Sequence, residues 1–140
     1  MSNVTKRVLI VDDEPLLISL LQEIFARFQH GHTYAITPAY SVVEAYDLLV
    51  REEFDLILLD MVVPRMGDPW PWIQGLDLLK RIRLLGVKAP IFMMTGVWNT
   101  EKEAEAMIEG AAGYLHKPFD VRELNRLVTA ALGASPASGS

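Results

Sequence analysis

The sequence predicts an α/β domain with a doubly wound parallel sheet, on three observations. Short apolar runs recur along the chain, stretches with helical spacing lie between them, and the runs are apolar on both faces. Only a parallel sheet covered by helices on both sides makes that last demand. In chain order, Arg7 to Val11 is the first run and ends in the acids Asp12 and Asp13. Leu16, Leu17, Leu20, Leu21, Ile24 and Phe25 then fall on one helical stripe. Thr33 to Thr37 is a weaker strand. Ser41 with Glu44 three residues on forms a capping box for a second helix carrying Val42, Val43, Ala45, Tyr46 and Leu49. Asp55 to Leu59 is the next strand and runs into Asp60. Leu76, Leu79, Ile82 and Leu85 mark a third helix that Gly86 stops. Pro90 to Met94 ends in Thr95-Gly96, and Thr100 to Glu109 is an acid-rich helix ending at Gly110. Ala112 to Leu115 leads to His116-Lys117-Pro118, and Asp120 caps a last helix with Leu124, Leu127, Val128 and Ala131. Five strands alternating with five helices imply right-handed crossovers.

Bulk properties narrow the function classes. The 140 residues suit one domain, here residues 1–132. The small, polar tail 133–140 reads as a frayed end, a linker or a vector-derived remnant. Hydrophobic residues make up 51% and charged residues 22%, enough for a buried core. A net charge of −5 and a pI near 5.1 argue against a nucleic-acid-binding surface. With no cysteine, thiolate metal sites, disulfides and thiol nucleophiles are excluded. No signal-peptide pattern opens the chain and no run spans a bilayer, so a soluble cytoplasmic protein without membrane insertion is expected.

The chemistry converges at one edge. Ligands of an open parallel sheet bind beyond the carboxyl ends of its strands. Asp12, Asp13, Asp60, Thr95 and Lys117 each stand at such an end. Singly, each has an ordinary explanation: an aspartate caps a helix or forms a turn, Lys-Pro makes a turn, and threonine closes strands. Together, at four strand ends, they form a site. Carboxylates crowded in one crevice need a cation, and an all-oxygen ligand set favours a hard divalent ion such as magnesium. A carboxylate is also a nucleophile toward phosphorus, and the transfer asks mainly for charge neutralisation, which a lysine and a threonine hydroxyl supply.

Five segments carry a resemblance. They are Val8-Leu-Ile-Val-Asp-Asp-Glu-Pro15, Asp55-Leu-Ile-Leu-Leu-Asp60 with Pro64, Gly75-Leu-Asp-Leu-Leu-Lys-Arg-Ile-Arg83, Met94-Thr-Gly96 and Gly113-Tyr-Leu-His-Lys-Pro-Phe119. In these the chain resembles the receiver domains of bacterial two-component systems, over about Arg7 to Leu132. The resemblance implies a flavodoxin-like fold with strand order 2-1-3-4-5. It implies that Asp60 accepts a phosphoryl group from a histidine kinase or phosphotransfer protein. Magnesium would be held by Asp12, Asp13, Asp60 and the backbone carbonyl of Val62. Lys117, joined to Pro118 by a cis bond, and Thr95 would contact the phosphoryl oxygens, while Tyr114 and Thr95 act as switch residues. The surface of the fourth helix, fifth strand and fifth helix would read the state out to a target protein or output domain, or pair two copies.

The sequence departs from the family in the spacing after Asp60 and, mildly, at Val63, where the family often has Met before Pro64. From Asp60 to Gly75 is 15 positions, about seven more than the family usually takes, so an enlarged loop is expected. It carries Gly67-Asp-Pro-Trp-Pro-Trp-Ile-Gln74. Trp70 and Trp72 read either as a lid or docking patch or as cover for a neighbouring helix. The positions two past Asp60 and two past Thr95 are Val62 and Val97. Neither offers a group to orient an attacking water, so slow self-dephosphorylation is expected.

The leading reading is therefore a phosphorylation-controlled signalling switch, not an enzyme in the ordinary sense, that either stands alone or is cut from a larger regulator. A small-molecule phosphatase would need a second acid where Val62 stands. An unphosphorylated interaction module would be expected to have lost part of the acidic cluster or the lysine, and all are present.

Overall fold

The computed structural model describes residues 4–61, 71–96 and 100–133, with 71–74 given by backbone alone. The strands are β1 (Thr5–Val11), β2 (Thr33–Ala39), β3 (Leu56–Asp60), β4 (Ile91–Thr95) and β5 (Gly113–His116). The helices between and after them are α1 (Pro15–Arg27), α2 (Val42–Arg51), α3 (Pro71–Leu84), α4 (Thr100–Ile108) and α5 (Val121–Leu132). The strands form one parallel sheet in the order β2-β1-β3-β4-β5. This is the order expected from the resemblance. The direction of winding reverses between β1 and β3, which is where such sheets open a crevice for ligands.

Alternation along the strands splits the core in two. Leu9, Val11, Ile57, Leu59, Ile91 and Met93 face α2, α3 and Ala106 of α4. Val8, Ile10, Leu56, Leu58, Phe92 and Met94 face Ile18, Leu21 and Phe25 of α1 and Leu124 and Val128 of α5. Because both faces are covered, the central strands show no polar alternation, and all of β3 and β4 is buried. Truncating one such buried leucine to alanine typically costs about 2–5 kcal/mol.

The predicted caps form. Ser41 Oγ accepts the Glu44 N–H at 3.2 Å, and its hydroxyl also meets the Glu44 carboxylate at 3.2 Å. Asp120 accepts the Arg122 N–H at 2.9 Å, starting α5. Four details differ from the sequence reading. Strands β3 to β5 each begin and end one residue later than the apolar runs suggested. Strand β2 runs on through Pro38 to Ala39, which a sheet interior would not tolerate but an edge strand does. In α1 the buried face runs through Ile18, which the expected stripe omits, with Leu21 and Phe25, whereas Leu16 is 86% exposed. Likewise Val43 of α2 is 74% exposed. A helix touching a flat sheet buries little more than one narrow stripe, so apolar flanks remain outside.

The fourth difference concerns the long segment after Asp60. Helix α3 starts at Pro71, so Trp72 lies in its first turn instead of in a loop. Proline suits that position because its missing N–H would have no intrahelical partner there. Trp70 lies outside the described residues, as do Val62 and Val97. No helix among the described residues is long and apolar enough to cross a membrane.

Candidate functional site

The carboxyl edge of the sheet carries the site. Asp12 follows the last residue of β1, and its N–H is tied to the Ala39 carbonyl at 3.0 Å. One of its carboxylate oxygens accepts the Glu14 N–H at 2.9 Å, a turn that aspartate favours. Asp60 ends β3, and the following N–H, of Met61, bonds to the Met94 carbonyl at 2.9 Å. Thr95 ends β4, one position beyond the residue in register with Asp60. Lys117 follows β5, with its N–H on the Thr95 carbonyl at 2.8 Å and a cis bond to Pro118. Asp12, Asp60 and Thr95 are buried, whereas Asp13 is exposed.

The Lys117 ammonium organises these groups. It donates to Asp12 Oδ2 at 2.8 Å, to Asp60 Oδ2 at 3.2 Å and to Glu14 Oε1 at 3.5 Å. Burial alone would depress the lysine pKa and is the largest single influence on it. The hydrogen bonds and charges of Asp12 and Asp60 together outweigh that and hold it above the ordinary lysine value. Even so, one ammonium faces four carboxylates. Oxygens of Asp12, Asp13, Glu14 and Asp60 all lie within 4.8 Å of one another. An all-carboxylate set this tight fits a hard divalent cation, such as magnesium, that accepts oxygen ligands and retains water. The Val62 carbonyl expected to join it is outside the described residues.

Two further features frame the pocket. Gly75 brings α3 against the backbone that carries Asp60. A β-carbon there would stand 2.6 Å from both the Asp60 carbonyl oxygen and the Met61 Cα, so no side chain fits. Tyr114 on β5 donates its hydroxyl to the Lys102 carbonyl of α4 at 3.2 Å and sits 3.7 Å from the Met61 sulfur. Its pKa is pushed up to about 12, first by burial and then by the charges of Glu103 and Glu105.

Sequence reasoning passed over Glu14. It holds the N-cap position of α1 without making a side-chain cap bond. The available signal was chemical: glutamate is a poor N-cap, so one placed directly before a helix-opening proline has another use for its carboxylate.

The model of the response regulator receiver domain family matches residues 8–129. The chain belongs to that family. Among curated relatives, this receiver domain is 35% identical over 127 residues to the response regulator protein PilR of Pseudomonas aeruginosa, covering 91% of the chain but only 26% of PilR. It is 30% identical over 123 residues to the sporulation initiation phosphotransferase F of Bacillus subtilis, covering 88% of the chain and 90% of that protein. Among solved structures, a CheY-like receiver domain protein from Methanospirillum hungatei superposes with a TM-score of 0.74 at 27% identity, over 91% of this chain and 93% of the other. A two-component response regulator from Clostridium difficile gives 0.76 at 28%, over 91% and 95%. Receiver domains are phosphorylation-dependent signalling switches that bind magnesium and work with histidine kinases and output domains.

Proposed function

We propose that Asp60 is the phosphoryl acceptor of this receiver domain, taking the group from a phosphohistidine on a histidine kinase or phosphotransfer protein. One observation carries the reading: buried Asp60 shares the Lys117 ammonium with buried Asp12 at the carboxyl edge of the sheet. In the transfer an Asp60 oxygen forms the new bond to phosphorus. The phosphorus–nitrogen bond breaks, and its electron pair stays on the imidazole. Asp12, Asp13 and Asp60, with the Val62 carbonyl, would hold Mg2+, which when bound neutralises charge on the transferring group. Lys117 already stands beside the Asp60 oxygen, so its ammonium meets the phosphoryl oxygens without a long excursion. Thr95 supplies a hydroxyl from the neighbouring strand end.

The partner's approach has a matching surface. Leu17, Leu20, Ile24, Pro118, Phe119 and Val121 line a groove of about 530 Å³ that reaches Glu14 and Lys117 at the mouth of the pocket. An apolar helix face laid there would place its histidine over Asp60. The relative named a phosphotransferase, matched over nine-tenths of its length, supports phosphoryl transfer by a domain of this extent. For the output, Tyr114 ties β5 to α4 and touches the residue after Asp60. A charge change at Asp60 that draws Thr95 and Lys117 inward therefore reaches the α4–β5–α5 face, where a target or a second copy reads it. Val62 and Val97 leave water without an orienting group, so the phosphorylated state is long-lived.

The test is phosphorylation with acetyl phosphate and Mg2+, followed by mass spectrometry and peptide mapping. The label is expected on Asp60 and should be absent from Asp60→Ala. Labelling that survives the substitution, or that proceeds equally well in EDTA, would overturn the assignment.

A further inference from the structure

The Lys117 ammonium bridges Asp12 and Asp60. Those are the two buried carboxylates a divalent ion must engage. Lys117 holds Oδ2 of each, so the ion and the ammonium draw on the same two carboxylates and each weakens the other's hold on them. A firm hold on the ion therefore loosens the bond from Lys117 to Asp12. The Lys117 side chain is only 19% exposed, so releasing it against the apolar wall would leave a charge without a partner.

Glu14 stands where such a partner is needed. Its Oε1 is already 3.5 Å from the ammonium, against 2.8 Å for Asp12. Its side chain is 62% exposed, while those of Asp12 and Asp60 are buried. The residue sits at the start of α1 with an extended backbone, yet its carboxylate caps nothing. Its backbone N–H is held by Asp12, which ties the start of α1 to the pocket. Glu14 also borders the apolar groove, together with Lys117 and Pro118. The carboxylate is thus poised between the pocket and its mouth.

We propose that Glu14 is a positioning residue that takes over the Lys117 ammonium when a divalent cation enters the pocket. The inference rests on reading the pocket as a cation site. The transfer moves the ammonium from a buried carboxylate to an exposed one less than an ångström farther off. Lys117 remains charge-paired and close to Asp60, while Asp12 becomes free to turn its oxygens to the ion. Removing Glu14 would make the cation displace Lys117 toward solvent, and binding would weaken through the lysine.

A double-mutant cycle on the intact chain separates this from a plain charge effect, with Mg2+ binding followed by isothermal titration calorimetry. Glu14→Gln is expected to weaken Mg2+ binding about 5- to 10-fold in the native background, within the range of coupled neighbouring groups. In a Lys117→Ala background the same change should move the affinity less than about twofold, because the group Glu14 serves is gone. Lys117→Met provides the same background with the side-chain stem retained, should the alanine variant not fold. Glu14→Asp keeps the charge but shortens the reach, and should behave like Glu14→Gln. An equal loss in both backgrounds would make Glu14 a direct ligand or a distant charge and overturn the proposal. A native-like Glu14→Asp or an unaffected Glu14→Gln would also overturn it. No Mg2+ binding by the unsubstituted protein would strike at the cation site itself, and the inference would fall with it.

Discussion

Two polar clusters, each built around buried residues, lie at opposite ends of the same sheet, and they are built on opposite plans. At the carboxyl edge, four carboxylates crowd around one ammonium. At the amino edge, His30, His32 and Tyr34 meet Asn125 and Thr129 of α5. There the bonds run in one direction. Asn125 Oδ1 accepts from Thr129 at 3.3 Å and from His30 Nε2 at 2.6 Å, so His30 carries its hydrogen on Nε2. His30 Nδ1 then accepts from the Tyr34 hydroxyl at 2.5 Å, and the Tyr34 oxygen accepts from His32 Nε2 at 2.9 Å. Phe25 and Phe28 pack edge-on against Tyr34, and Phe28 stacks on His30. The amino-edge cluster carries no carboxylate and joins a loop, a strand and a helix through hydrogen bonds, which suits it to stability. The carboxyl-edge cluster carries a surplus of like charge, which suits it to the proposed phosphoryl transfer. Burial of polar groups therefore does not by itself mark a site; burial with an unbalanced charge does.

The sharpest way to break this contrast is to remove one member from each end. Asp60→Asn should abolish phosphorylation by acetyl phosphate, a loss beyond about a thousandfold, because no nucleophile remains. It should change the unfolding free energy measured in urea by less than about 1 kcal/mol, since Lys117 keeps Asp12 and Glu14 and one repelling charge is gone. His30→Ala should do the reverse. It removes one bond each from Tyr34 and Asn125 and opens a void beneath Phe28, at a cost of about 2–3 kcal/mol in equilibrium unfolding. Phosphorylation rates below the unfolding transition should stay within about twofold of the unsubstituted protein. A His30→Ala protein of normal stability with impaired phosphorylation would erase the distinction.

The two ends also differed in how far they could be read from the sequence. The carboxyl edge was legible because one local rule places it: Asp12, Asp60, Thr95 and Lys117 each close or follow an apolar strand, and parallel strands end together. Glu14 escaped because its backbone does what a helix N-cap does, and only its side chain departs from that role. The amino-edge cluster was illegible in principle. His30 and Asn125 lie far apart along the chain and meet only once α1 and α5 cover the same face of the sheet. Neither residue interrupts any periodicity. The fold itself was legible wherever burial was complete, as in Leu56 to Leu59, and blurred at surfaces. There the sequence could not decide whether Leu16 or Ile18 faces the core, or whether Pro71 and Trp72 end a loop or begin a helix. Loop and first helical turn ask for the same residues.

A finer test of the amino edge removes one hydroxyl. Burial pushes the Tyr34 pKa up to about 12, so the phenol stays neutral and serves as the hinge of the chain. Tyr34→Phe keeps the ring packed against Phe25 and deletes the donor to His30 and the acceptor for His32. A loss of about 1–2 kcal/mol is expected, smaller than for His30→Ala because the apolar contacts survive. A neutral or stabilising result would show that the bonds are incidental and that the aromatic packing alone holds this end.

The smallest expected effect is a pH dependence confined to the same cluster. His32 is held below the ordinary value of 6.5, first by burial, then by the charges of Lys6 and His30, with Asp55 opposing. A histidine depressed in the folded state binds fewer protons than in the unfolded chain between its folded pKa and 6.5. Its contribution to stability is therefore complete above that ordinary value and is lost as the pH falls from it through the lowered one. The bonding pattern gives the structural reason. His32 needs only one hydrogen for its bond to Tyr34, and a second proton adds charge beside Lys6 without adding a bond to the chain. In urea titrations the unsubstituted protein should thus lose stability more steeply than His32→Gln between neutral pH and about pH 5. Parallel slopes for the two proteins would place the titrating group elsewhere, and the amino edge would then be insensitive to protons as well as to the chemistry at Asp60.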